Sequence, residues 1–229
     1  MLKFTQNSKG VIMDIKEAIQ KRHTVRKFLD KPIEADKLTQ INERIDILNK
    51  THNLSLKLIT NNTHGIATGW KLIAKNATNF IILAGQKTPT SREKIGYASS
   101  DLMLYVQTLG LNSWWIGGMY SKKIKDHNPN THIVGILVIG YGATQGHPHE
   151  SKTAQDVSTY AGSPPQWFKD GVQAALLAPT AINRQGFTIK GEGDKVNITY
   201  KKAAFDMEDL GIVKHHFETA ANPTNFTFE

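Results

Sequence analysis

Apolar residues first recur at helical spacing just behind Asp14, a candidate N-cap: Ile15, Ala18 and Ile19 predict a short amphipathic helix ending near Arg22. A second helix begins near residue 35 on the pattern Leu38, Ile41, Ile45 and Leu48, with Pro32 ahead of it where a helix can still start. A turn at 51–53 leads into a predicted strand over 54–59, and a loop rich in Asn, Thr and Gly leads to another over 79–84. Thr90 and Glu93 have capping-box spacing. Behind them Ile95, Ala98, Leu102, Tyr105, Val106 and Leu109 trace one face of the strongest helix in the chain, which Gly110 stops. Residues 111–116 and 133–140 read as strands, the second apolar on both faces.

Between 141 and 166 this periodicity disappears and Gly, His, Ser, Thr and Pro cluster, which marks a connection. A helix over 166–178 follows, then two alternating strands, 187–189 and 196–200, around the turn residues 191–194. A last helix, 206–220, precedes an extended segment at 225–228. Strands and helices alternate, so the class is α+β, arranged in layers. A helix, a short linker and a strand occur twice, at 38–59 and 168–189, which points to an internal duplication. The expected organisation is an extension at 1–12, a first half at 13–150, a connection at 151–164 and a second half at 165–229.

The composition narrows the function. With 39% hydrophobic and 21% charged residues in 229 positions, the chain can bury a core. The absence of cysteine removes disulfide scaffolds, zinc–thiolate sites, iron–sulfur clusters and thiol nucleophiles together. The longest apolar run, 133–140, falls far short of the roughly 20 residues that span a bilayer. The N-terminal residues lack the apolar stretch of a signal peptide, so the cytoplasm is the default location. The net charge of +8 invites a polyanion, but the cations are scattered in pairs and triplets. A small anionic ligand, such as a phosphorylated cofactor, is the alternative to nucleic acid.

Three segments are candidates. Residues 21–28, Lys-Arg-His-Thr-Val-Arg-Lys-Phe, either compensate a helix dipole or cradle an anion through Arg forks and a Thr hydroxyl. Residues 178–185, Ala-Pro-Thr-Ala-Ile-Asn-Arg-Gln, lie between a helix and a strand, either as a plain linker or as a ligand-lining loop. Residues 114–118, Trp-Trp-Ile-Gly-Gly, place two glycines at a strand end, where a ligand can lie flat on backbone N–H groups or two indoles can simply be buried. By contrast, Gly140, Gly142 and Gly146 do not make a dinucleotide fingerprint. His147, His149 and Glu150 read as a solvated loop cluster rather than a metal site, and Lys214, His215 and His216 as a surface helix end. Hydrolase and phosphotransferase signatures are missing.

Together these pieces resemble the FMN-dependent nitroreductase family over most of the chain from about residue 13. Arg22-His23-Thr24-Val25-Arg26-Lys27-Phe28 matches the family's Arg-Arg/His-Ser-x-Arg/Lys-x-Phe, and Leu109-Gly110-Leu111-Asn112 with Trp115-Ile116-Gly117-Gly118 resembles its Gly-Leu-Gly and Trp-Ile-Gly-Gly. The strand ending at Tyr141 matches its Gly-Tyr strand, and residues 178–185 its Ala-Pro-Ser-Ala-x-Asn-x-Gln. That last motif normally lies in the first half; here it lies in the second, as in the branch whose two halves imitate two subunits. Gly186 replaces the family's Pro-Trp, and His147, His149 and Lys152 stand where more arginine is usual.

The resemblance implies a nitroreductase-like α/β/α fold with a mostly antiparallel central sheet flanked by helices, as a homodimer or a pseudo-dimeric monomer. It implies FMN as cofactor and NAD(P)H as co-substrate, with ping-pong transfer to nitroaromatics, quinones or similar small acceptors. It implies Arg22, His23 and Thr24 at the phosphate and ribityl chain, with Lys152 a further phosphate contact and Arg26 at the pyrimidine edge. Trp115 and Ile116 lead to Gly117 and Gly118, whose N–H groups would meet N5 and O4, and Thr180, Asn183 and Gln185 would line the other side. Trp70, Trp114 or Phe217 either shape the pocket over the ring or, as aromatics more often do, pack in the core. No catalytic acid, base or nucleophile is needed from the protein, because the flavin carries the chemistry. The alternative is a flavin-binding protein that stores, senses or scavenges FMN without turnover. Nucleic-acid and membrane partners are not expected.

Overall fold

The computed structural model describes residues 13–70, 72–125 and 130–229, without the side chain of Trp70. The extension 1–12 and the Trp70 ring therefore lie outside the described residues. Helix α1, Ile15–Lys21, buries Ala18 and Ile19 against Leu104 and Ala174. Helix α2, Ala35–His52, buries Ile41, Ile45 and Leu48 and ends at Asn53 in the left-handed region, φ 55°. Strand β1 is only Lys57–Ile59, shorter than its apolar pattern. The Asn49 side chain takes both backbone groups of Leu56, at 2.8 and 2.9 Å, so these cannot join a ladder.

Strand β2, Phe80–Gly85, is buried throughout. Helix α3, Pro89–Thr108, is capped two residues earlier than its sequence indicates: Thr88 Oγ1 accepts the Ser91 N–H at 3.1 Å. Pro89 sits at the first helical position, where its missing N–H costs nothing. Glu93 is thereby freed from capping and pairs with Lys214 at 2.6 Å. Strands β3, Asn112–Gly117, and β4, His132–Gly140, complete an antiparallel sheet of order β1-β2-β4-β3.

The stretch expected as a bare connection holds helix α4, Ala154–Val157, with a Thr153–Asp156 capping box, and strand β5, Ser158–Ala161. Elements of four residues are too short to show periodicity. After helix α5, Gln166–Leu176, strand β5 joins β6, Phe187–Glu192, β7, Lys195–Tyr200, and β8, Thr227–Phe228, in a second sheet. In it β6 and β7 form the expected antiparallel hairpin, while β5 and β8 add in parallel. Helix α6, Asp206–Ala221, lies between β7 and β8 in sequence.

A single apolar core joins the inner faces of both sheets to α2, α3, α5 and α6. The outer face of the first sheet has its own core around Phe80, Trp114 and Ile136, closed by residues 25–28 and by flanking loops. The order α2-β1-β2-α3-β3 recurs as α5-β6-β7-α6-β8. Ser100 and His215 touch across the α3–α6 crossing and are 115 positions apart. The same spacing separates the first residues of β2 and β7, Phe80 and Lys195, and those of β3 and β8, Asn112 and Thr227. It also separates Gly96 from Gly211. A Cβ on Gly96 would overlap the Glu208 carbonyl, and one on Gly211 the Glu93 carbonyl. The contact is reciprocal, as at a two-fold axis.

Candidate functional site

At the end of α1 the backbone turns extended at Arg22 and runs against two other elements. Thr24 pairs with Ser113 at the start of β3, the Val25 N–H donates to Ser113 O at 3.1 Å, and Phe28 pairs with Gly142 just after β4. This packing carries Arg22 inward until it is 3% exposed. No carboxylate pairs with it among the described residues. One terminal nitrogen makes a long 3.5 Å contact to Leu177 O, and Nε has no partner. Burial pushes the guanidinium down to about 10. Ser113 Oγ and His216 Nε2 are also buried without partners. Burial lowers the pKa of His23, and the charges of Arg22, His149 and His147 lower it further.

The loop after β4 reaches over to the end of α5. His149 Nε2 lies 3.0 Å from Leu176 O, so it carries the proton, and Ser151 Oγ donates to the same oxygen at 3.2 Å. Lys152 donates through its backbone to Gln185 Oε1 at 2.9 Å and through Nζ to Gln185 O at 2.8 Å. Gln185 Nε2 returns bonds to Glu150 O at 2.8 Å and to Asn183 Oδ1 at 2.9 Å, while Thr180 Oγ1 accepts the Gln185 N–H at 3.0 Å. The loop is strained: Ile182, Asn183 and Gln185 all have positive φ, 50°, 55° and 46°. From behind, Asp209 accepts the Ala181 N–H at 3.0 and 3.1 Å and the Tyr200 hydroxyl at 2.7 Å. With no cation bonded to it, burial pushes this carboxyl up to about 6.

Strand β3 leads from Ser113 to the two glycines, about 13 Å along the strand. Gly117 faces the ring of Phe205 so closely that a Cβ would overlap it. Trp115 packs edge-on against the same ring at 5.6 Å and donates to Ser99 Oγ at 3.2 Å. Gly118, at φ 60°, has open space where a side chain would stand. Arg184 Nη1 bonds Ala204 O at 3.2 Å, so the strained loop also reaches the Phe205 corner.

The residues proposed from sequence thus fall into connected groups. Arg22, His23 and Thr24 meet the β4 loop, and Lys152, Thr180, Asn183 and Gln185 form one network joined to it. Trp115, Gly117 and Gly118 lie at the far end of β3. Ile116 instead points into the outer core, and Arg26 is exposed with its guanidinium 5.5 Å from the Trp114 ring. Trp114 and Phe217 are core residues, 4% and 0% exposed. His215 and His216 correct the surface reading: both are buried, and Ser100 Oγ lies 2.9 and 2.8 Å from their Nδ1 atoms. Sequence reasoning missed Ser113, Asp209, Tyr200 and Phe205 altogether. The only signal for Asp209 was an acid in a helix's first turn, which a dipole explains as well. Among the described residues no group of three or more His, Asp or Glu is placed to hold a metal. A cavity of about 250 Å³ opens elsewhere, beside β1 and β2, with Ile59, Phe80 and Ile82 in its wall, and it shares no residue with this site.

The fold is that of the nitroreductase-like α+β proteins. Residues 14–221 match the protein family described as "Putative TM nitroreductase", and the chain belongs to that family. A structure described as a putative nitroreductase from Thermotoga maritima aligns over 95% of this chain and 88% of its own, with a TM-score of 0.69 and 20% identity. A putative nitroreductase in complex with FMN from Exiguobacterium sibiricum covers 67% of this chain and 98% of its own, at a TM-score of 0.51 and 16% identity. Another FMN complex, from Desulfovibrio desulfuricans, covers 70% and 99% at 0.50 and 14% identity. No curated protein matches in sequence. Among the described residues no helix is long and apolar enough to cross a membrane.

Proposed function

We propose that the chain is an FMN-dependent oxidoreductase of nitroreductase type, taking reducing equivalents from NAD(P)H and passing them by a ping-pong route to a nitroaromatic, quinone or similar small acceptor in the cytoplasm. The observation that carries this reading is Arg22, a guanidinium 3% exposed, with an unpartnered Nε and, among the described residues, no acid to neutralise it. A buried cation of this kind costs stability unless an anion joins it, and the dianionic phosphate of FMN fits. The structures of FMN complexes that share the fold support the same ligand.

In this reading Arg22 and His23 hold the phosphate, with Thr24 as a short donor and Lys152 as a second cation. The N–H groups of Gly117 and Gly118 face the ring edge, with open space at Gly118 and the Phe205 ring packed against Gly117. Thr180, Asn183 and Gln185, fixed by Asp209 and Lys152, line the opposite side, and Arg26 would have to leave Trp114 to reach the pyrimidine edge. Bound FMN supplies the hydride chemistry, so the chain's task is to bind, orient and exclude water. In this reading one chain supplies groups to the site from both of its halves, Arg22 from the first and Gln185 from the second. That favours the pseudo-dimeric monomer over the homodimer.

The test is the visible absorption spectrum of the anaerobic protein before and after NAD(P)H. A flavin band that bleaches and recovers with an acceptor supports the reading, whereas one that persists supports the flavin-binding alternative. Arg22→Ala should weaken FMN binding far more than Lys201→Ala; equal retention in both places the phosphate elsewhere.

A further inference from the structure

The candidate cradle is built between the two copies of the internal repeat, where the end of α5 meets α1 and α3: Ala174 packs with Leu104, and Arg22 reaches Leu177. A two-fold relation generates every such location twice. The counterpart lies where the end of α2 meets α6, and the two locations differ in backbone and in charge.

Helix α5 stops at Leu176, and residues 177–186, with their left-handed loop, intervene before β6. Its counterpart α2 remains helical to His52 and reaches β1 after residues 53–56. The loop that presents Thr180, Asn183 and Gln185 thus has no equivalent there. A polar cluster fills the place instead. The His52 ring lies 5.4 Å from Tyr97, whose edge meets His215 at 4.7 Å and whose hydroxyl donates to Glu218. Arg44 Nε bonds Asp101 at 2.6 Å, and Asp101 faces His215 at 3.5 Å. The contrast in charge decides the ligand. Among the described residues Arg22 is buried without an acid, whereas Arg44 is already neutralised by Asp101, and Glu218 adds a second carboxylate that repels a phosphate.

Resting on the flavin reading above, we propose that each chain binds one FMN, not two, because the repeat-related copy of the cradle has been converted into a polar clamp that ties α2 and α3 to α6. The test is titration of the flavin-stripped protein with FMN, followed by flavin fluorescence, with stoichiometry fixed by quantitative amino-acid analysis. One FMN per chain is expected. Two per chain overturns this proposal while leaving the flavin reading intact, and no uptake overturns both. Glu218→Gln keeps an acceptor for Tyr97 and should shift the FMN dissociation constant less than about twofold, while Arg22→Ala should raise it by at least about tenfold. A tenfold loss of FMN affinity in a folded Glu218→Gln protein would show that the clamp is itself a flavin site, and the proposal would fall.

Discussion

In the proposed reading Arg22 sets function against stability. Without an anion its buried, unpaired charge is a burden on the folded chain, so Arg22→Met should stabilise the flavin-free protein by about 1–2 kcal/mol in urea unfolding while abolishing FMN uptake. A destabilised Arg22→Met protein would instead mean that the Leu177 contact holds the fold. Two other residues give opposed pH effects. His216 is buried, and burial first, then the charge of Arg22, depresses its pKa well below 6.5. The unfolded chain therefore binds the extra proton, and His216 contributes stability above pH 6.5 that is lost as the pH falls below it. Asp209 acts the other way: raised to about 6 from 3.8, its contribution is full below pH 4 and is lost as the pH rises through 6. Urea midpoints between pH 4.5 and 7.5 should accordingly rise more steeply with pH in Asp209→Asn, and more gently in His216→Gln, than in the parent. Arg22, Thr180, Asn183 and Gln185 could be proposed from sequence because each stands in a short motif at an element end. His216 and Asp209 were not, because α6 is buried nearly all round from Glu208 to Phe217 and no apolar stripe marks which side meets α3.

Among elements, the α3–α6 crossing organises the molecule, and it depends on two glycines that let the helix backbones touch. Gly96→Ala and Gly211→Ala each push a methyl group into the partner helix's carbonyl, so each should cost about 2–3 kcal/mol by urea unfolding. Both act at one crossing, and opening it once relieves both overlaps. The double variant should therefore lose clearly less than the sum, measured as a coupling energy in a double-mutant cycle. Strict additivity would mean that the two contacts are independent. Most of these elements could be read from periodicity, including α2, α3, β2, β4 and the β6–β7 hairpin. What escaped was local chemistry that overrides pattern: the Asn49 side chain shortening β1, Thr88 capping α3 ahead of Pro89, and the four-residue elements α4 and β5. The repeat was visible only as a helix–linker–strand echo, because its spacing of 115 is kept by β2, α3 and β3 while insertions before β2 obscure it.

For the whole molecule, the question is whether the proposed halves, 13–150 and 165–229, are independent folding units. Apolar residues of both lie in one shared cluster that runs from Ile41 and Leu102 through Val213 and Phe217 to Ile189. Separating them would expose the α3 face around Ile95 and Ala98, both 0% exposed, along with the buried Ser100–His215 bond. A core shared in this way binds the two repeats into one cooperative unit. The tryptophans make this measurable, because Trp114 is buried in the first half, while Trp167 stacks on Phe226 at 5.5 Å in the second. Two variants that keep only Trp114 or only Trp167, each compared with its own far-ultraviolet circular dichroism, should unfold in urea with fluorescence and dichroism midpoints that agree within about 0.2 M. A Trp167 signal lost before the dichroism, or a Trp114 signal outlasting it, would show that the second half melts alone. The fused arrangement would then be two loosely docked modules, and the cradle proposed for Arg22 and Gln185 together could not survive the first transition.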